Sequence, residues 1–213
     1  METLEYLLRK FNFEYNDSIR MPLEIRDFGR EQMASLFNEL GFKKGVEVGV
    51  RDGGYSLTLM ESILDLKLWG IDPYIPLKGY RDHTRKQTFD RFYKEAHDKL
   101  DKYPDYTFVR KLSLDAVNDF EDNSLDFVYI DGNHDFQNAT NDIVEWGKKV
   151  RVGGIISGDD YFKHKGRARI HVYQVVNGYT EAEHIRPWFV LGTKEVIEGE
   201  IRDHGRSWMW VKQ

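Results

Sequence analysis

The stretch KGVEVGVRDGGYS, residues 44–56, decides the fold. Lys44 to Val50 reads as a short buried strand. Asp52, Gly53 and Gly54 then break it, and Tyr55 to Ile63 can run on as a helix. Strand, glycine turn and helix form the repeating unit of a sheet with helices on both faces.

Working outward, the unit recurs. Leu66 to Ile71 reads as a second strand ending at Asp72-Pro73, and Thr84 to Leu100 sets Phe89, Phe92, Tyr93, Ala96 and Leu100 on one helical face. Tyr106 to Val109 is a third strand and Ala116 to Phe120 a short helix. Leu125 to Ile130 is a fourth strand, ending at Asp131. Phe136 to Lys148 reads as a helix with Ile143, Val144 and Gly147 inward, then a turn at Val152-Gly153-Gly154 and a fifth strand, Ile155 to Ser157. A helix near Ile170 to Val176 and two apolar strands, Trp188 to Leu191 and Trp208 to Val211, complete the chain. On the N-terminal side, Met33, Leu36, Phe37 and Leu40 mark a helix from Arg30 that stops at Gly41. The expectation is a Rossmann-like, doubly wound α/β sheet of about seven strands, mostly parallel, with one antiparallel strand near the C-terminus. No linker or repeat divides the sequence, so residues 1–213 are expected to form a single domain. Residues 1–30 are expected to act as a lid or dimerisation segment, which allows a homodimer.

The chemistry of the chain narrows its partners. It has 31 Lys and Arg against 36 Asp and Glu, a net charge of −5, so no basic field is available to hold nucleic acid. It has no cysteine, which removes thiolate metal sites and cysteine nucleophiles and fits a reducing compartment. The first residues interleave charges without the apolar core of a signal peptide, and no run of about 18 apolar residues occurs. No membrane span and a cytoplasmic location are therefore expected.

Ligands of such sheets bind at the carboxyl ends of the strands, which directs attention to the residues just past each one. After the first strand, Glu47, Gly49, Arg51, Gly53 and Tyr55 surround a glycine turn that lets a ligand approach the backbone and the following helix N-terminus. Asp72 lies 25 residues beyond Glu47, where an acid can accept the hydroxyls of a ribose. An ordinary structural turn and a turn-capping Asp72 are the competing accounts. The turn is GxxxGG rather than GxGxxG, which weighs against the alternative of an NAD(P)-dependent oxidoreductase.

With Glu47, Gly49 and Gly53 in that spacing and Asp72 following, the sequence resembles the class I S-adenosylmethionine-dependent methyltransferases. The run DFVYIDGNHDFQNATNDIVEWGKKVRVGGIISGDDY, residues 126–161, is similar to the small-molecule O-methyltransferases of the catechol and macrolide-sugar type. The resemblance implies S-adenosylmethionine as cofactor, held by Glu47, Gly49, Arg51, Gly53, Tyr55, Asp72, Ser113 and Asp131. Ser113 belongs to the adenine-side segment Lys111 to Asp115. It further implies a divalent metal, Mg2+ or a similar cation, on Asp131, Asp159 and Asp160. Three carboxylates at neighbouring strand ends repel one another unless a cation or proton compensates, and all-oxygen ligands suit Mg2+. Asp131 and His134 are the catalytic candidates, His134 as the base that takes the proton of an acceptor hydroxyl. His134 as a helix cap and Asp159-Asp160 as solvated loop acids are the bland accounts.

The acceptor is expected to be a hydroxylated small molecule: a sugar, polyphenol or natural product. Arg81, His83 and Arg85, in the basic stretch Lys78 to Lys86, are candidates to hold it, with a solvated loop as the simpler account. IDGNH follows the fourth strand in place of the Asn-Pro-Pro-Tyr type of motif carried by amino-methylating nucleic-acid enzymes. A catalytically silent cofactor-binding partner protein is the remaining alternative.

Overall fold

The computed structural model describes residues 2–76, 85–164 and 170–213. Its single sheet has eight strands: β1 (Leu23–Ile25), β2 (Lys44–Val48), β3 (Lys67–Ile71), β4 (Tyr106–Val109), β5 (Leu125–Ile130), β6 (Val150–Gly158), β7 (Phe189–Leu191) and β8 (Trp208–Val211). They are ordered β1-β7-β8-β6-β5-β2-β3-β4. Only β8 runs against its neighbours, β6 and β7. The expected topology therefore holds, with one strand more than expected. The addition, β1, is a three-residue edge strand parallel to β7, too short to show alternation in sequence.

The helices are α1 (Thr3–Lys10), α2 (Arg30–Glu39), α3 (Gly54–Ser62), α4 (Lys86–Leu100), α5 (Ser113–Ala116), α6 (Phe136–Lys149) and α7 (Val172–Ala182). Alternation along the strands sorts the core into two layers. Phe127 and Tyr129 of β5 face the first, where Phe37 of α2 stacks on Phe127 at 4.4 Å and Leu7 of α1 is fully buried. Val46, Val48, Val128 and Ile130 face the second, with Ile143, Trp146 and Val176. Glu47, between Val46 and Val48, must therefore point into the first layer.

Two local expectations are corrected. The turn at Val152-Gly153-Gly154 lies inside β6, which passes through an irregular register with β5 there. On α6 the residues turned fully inward are Ala139, Asp142, Ile143, Trp146 and Gly147, with Val144 only half-buried. The N-terminal 30 residues are stitched into the domain by β1 and by Thr3, whose hydroxyl donates to the Gly153 carbonyl at 2.6 Å.

The chain builds β2, β3 and β4 outward in one direction, then crosses back to lay β5 on the other side of β2. The loops beyond β2 and β5 part at that reversal and open a crevice.

Candidate functional site

A cleft of about 710 Å³ occupies the crevice. The loop after β2 contributes Gly49 and Arg51, that after β3 Asp72 and Tyr74, the first turn of α5 Ser113 and its neighbours. The loop after β5 contributes Asp131 to His134, the end of β6 Asp159 and Asp160, and the start of α2 Arg30. Ladder hydrogen bonds carry past the strand ends and hold these loops: Gly49 N donates to Ile71 O at 2.8 Å, Asp131 N to Val48 O at 2.7 Å, Asp159 N to Ile130 O at 3.1 Å.

Gly49 has φ +94°, and a Cβ there would lie 2.0 Å from the Asp131 carbonyl oxygen, so only glycine lets the two loops touch. Arg51 stacks over the Phe92 ring at 5.2 Å. Asp72 accepts from Arg51 N at 3.0 Å through one carboxylate oxygen and from Tyr74 N at 2.8 Å through the other, clamping the β2 and β3 loops together. Burial pushes its pKa up despite those bonds. Spare lone pairs on both oxygens still leave it able to accept from a ligand.

Three predicted cofactor residues do not line the cleft. Gly53, with φ +77°, starts α3 and sits against Ala96 and Leu100. Tyr55 is buried beneath, its hydroxyl donating to the Arg30 carbonyl at 3.0 Å and its ring 4.3 Å from Tyr129. Glu47 is buried in the first core layer and accepts from the Ser56 hydroxyl, which also meets Tyr106 Oη at 3.0 Å. Burial, countered by the Ser56 bond, pushes Glu47 up to about 8. These three shape the turn from below.

Ser113 does line the cleft and is held by two residues sequence reasoning passed over. Its hydroxyl donates to Asp142 Oδ1 at 2.5 Å and accepts from Trp146 Nε1 at 2.8 Å. Burial, eased by the Ser113 bond, raises Asp142 to about 6. The inward helical face containing Ile143 was the available signal, since Asp142 precedes it. Ile75, Leu112 and Leu114 give the same wall an exposed apolar rim.

At the other end the acids meet. Asp131, His134 and Asp160 bring one ligand atom each to within 4.8 Å of one another, and His134 Nδ1 lies 3.2 Å from Asp160 Oδ2. Asp131 is pushed well up by burial and by Asp159 and Asp160, with Arg30 opposing. Asp159 stands outside that trio, with Oδ2 3.1 Å from Arg30 Nη1. Its pKa rises to about 7 through burial and the charges of Asp203 and Asp160, against Arg30. Arg30, also over the Tyr55 ring at 5.4 Å, was legible only as the start of a helix, because its reach into the cleft comes from packing. The His134 loop is pinned by His171 N, which donates to His134 O at 2.8 Å, and Asp135 caps α6 by accepting from Asn138 N at 2.9 Å. Arg81 and His83 lie outside the described residues, and Arg85 is an exposed residue preceding α4.

Among the described residues, no helix is long and apolar enough to cross a membrane. Comparison with known proteins brings the chain into a wider context. The profile of a family described as a methyltransferase domain matches residues 46–161. An uncharacterised protein, R132, of Acanthamoeba polyphaga mimivirus is 33% identical over 120 residues, which cover 54% of this chain and 50% of that one. The chain thus spans about half the length of this curated relative. Among solved structures, an O-methyltransferase from Bacillus cereus in complex with SAH superposes with a TM-score of 0.64 at 16% identity, covering 99% of this chain and 90% of that one. The O-methyltransferase TomG from Streptomyces achromogenes, involved in tomaymycin synthesis and in complex with SAM, gives 0.58 at 15% identity, covering 100% and 91%. At those identities the likeness concerns the fold.

Proposed function

The chain belongs to this methyltransferase-domain family, and we propose that it transfers the methyl group of S-adenosylmethionine to a hydroxyl of a small molecule. The observation that carries this reading is one continuous cleft with a nucleoside-like end and a reactive end. The Gly49 turn, Asp72 and the apolar rim of Ile75, Leu112 and Leu114 suit a ribose and a flat base, while Asp131, His134 and Asp160 stand at the far end.

Methyl transfer to oxygen is a direct displacement. The acceptor oxygen forms a bond to the methyl carbon as the carbon–sulfur bond breaks, the electron pair leaves with sulfur, and the hydroxyl proton must be taken up. His134, whose Nδ1 lies 3.2 Å from Asp160 Oδ2, is the residue of this end of the cleft whose ordinary chemistry suits that base. Asp160 acts by holding the ring and its tautomer, as the third member of a catalytic triad does. The cleft walls contribute orientation, which for a displacement supplies much of the rate.

A divalent cation such as Mg2+ fits Asp131 and Asp160, with the His134 ring beside them, because crowded carboxylates at this spacing need a compensating charge. When bound it would lower the pKa of the acceptor hydroxyl and fix the oxygen.

Calorimetric titration of S-adenosylhomocysteine, with Mg2+ and again with a chelator, tests the reading. Micromolar binding is expected, with an enthalpy that changes when Mg2+ is removed. No binding under either condition overturns the proposal.

A further inference from the structure

His134 stands in the short connection from β5 to α6, residues 131–135, and its place in the cleft depends on what holds that connection. Within the loop, Asp135 N donates to Asn133 Oδ1 at 3.2 Å, and the Asp135 carboxylate accepts from Asn138 N at 2.9 Å and from Asn138 Nδ2 at 3.0 Å. These bonds fold the turn onto α6. Asp131 N, donating to Val48 O, ties only its beginning to the sheet.

The far end is held by one residue from much later in the chain. His171 N donates to the His134 carbonyl at 2.8 Å, and His171 Nδ1 accepts from Phe136 N at 3.1 Å. His171 thus brackets Asp135, meeting the main chain of the residue on either side. A backbone N–H can only donate, so Nδ1 is the bare ring nitrogen and the ring's proton sits on Nε2. His171 is itself fixed because it opens α7: its carbonyl accepts from Val175 N at 2.9 Å, and Val172, Val175 and Val176 are buried in the second core layer.

Burial does not demand the bond from Phe136. That residue is 59% exposed, and its N–H is the first of α6, a donor that the helix leaves open and water can satisfy. A bond that water can replace adds little to stability, so what this one fixes is the position of the loop against α7.

We propose that His171 is a positioning residue for the transfer, its ring and main chain clamping residues 134–136 to α7 so that the His134 ring stands before Asp160. The proposal rests on the methyltransferase reading above, with His134 as its base, and adds a residue that does not itself line the cleft. The bond from His171 N survives any side chain, so the share of the ring is separable. Alanine leaves Phe136 N unheld, whereas asparagine offers Oδ1 where histidine has Nδ1.

The test uses the full chain with isotope-labelled histidine, saturated with S-adenosylhomocysteine. The ring nitrogen NMR signals of His134, assigned by their loss in His134→Ala, report the setting of that ring. In His171→Ala they should shift, with S-adenosylhomocysteine affinity and the urea midpoint unchanged, and His171→Asn should restore them. On an acceptor that wild type turns over, kcat should fall about tenfold in His171→Ala at unchanged KM, as a small misplacement of a reacting group does, and recover in His171→Asn. His171→Leu, which keeps bulk without an acceptor, replaces His171→Ala if that variant does not fold. Failure of both to fold would make the residue structural and overturn the proposal. So would His134 signals that stay still in a folded variant lacking the acceptor, that move as far in His171→Asn, or that move only together with a loss of stability. Failure of S-adenosylhomocysteine to bind at the outset is a separate result, which overturns the methyltransferase reading itself.

Discussion

Arg30 Nη1 lies 3.1 Å from Asp159 Oδ2, joining the first turn of α2 to the carboxyl end of β6 across 129 residues of chain. This pair compensates one of the acids that crowd the strand ends, beside the group formed by Asp131, Asp160 and His134, whose Asp131 also feels both of its charges. Removing the cation by Arg30→Met should cost about 1–2 kcal/mol in urea denaturation. The loss is held to that range because the Arg30 side chain is 42% exposed and solvent screens the pair. Arg30→Lys should recover part of it, and equal stability of Arg30→Met and wild type would show the pair to be idle.

Glu47 makes stability fall with rising pH. Its ordinary pKa is 4.5, and burial raises the folded value to about 8 against the Ser56 bond. Between those values the folded chain keeps a proton that the unfolded chain has released, so each pH unit costs at most about 1.4 kcal/mol. Asp131 and Asp159, raised as well, add slopes of the same sign. Glu47→Gln should remove one share, so its advantage over wild type should be larger at about pH 8.5 than at about pH 5.5 in urea melts. The same difference at both would mean that Glu47 is ionised when folded.

Ser113 joins Asp142 to Trp146. Ser113→Ala strands a buried carboxyl and the indole N–H of a fully buried tryptophan, and should destabilise the protein by about 2 kcal/mol. With Asp142→Asn in a double-mutant cycle, the coupling should exceed about 1 kcal/mol. Additive losses would place the two residues in independent roles.

His134→Ala tests the base. Transfer of a radiolabelled methyl to an acceptor that wild type turns over should fall by about 10²–10⁴-fold, with S-adenosylhomocysteine affinity preserved. Asp160→Asn, which disturbs the orientation of the ring and removes one of the carboxylates that would hold a cation, should lower the rate and shift its pH profile. Unchanged turnover in His134→Ala would remove the residue from the mechanism.

The alternation of Val46, Glu47 and Val48, the turn at Gly49 to Gly54 and the recurring strand-helix units were enough to specify a doubly wound sheet, because burial periodicity and glycine turns are local properties of the chain. The same locality made Asp72, Asp131, His134 and the Asp159-Asp160 pair stand out, each just beyond a strand, where this architecture exposes side chains to a ligand. What locality does not contain is direction. Whether Glu47 faces the ligand or the core, whether Asp159 turns to Asp131 or to Arg30, and whether Asp142 supports Ser113 depend on contacts between residues 9, 129 and 29 positions apart. Those contacts exist only once the sheet has closed, so residue types and spacing identified the strand-end acids, and tertiary packing alone sorted them into their partnerships.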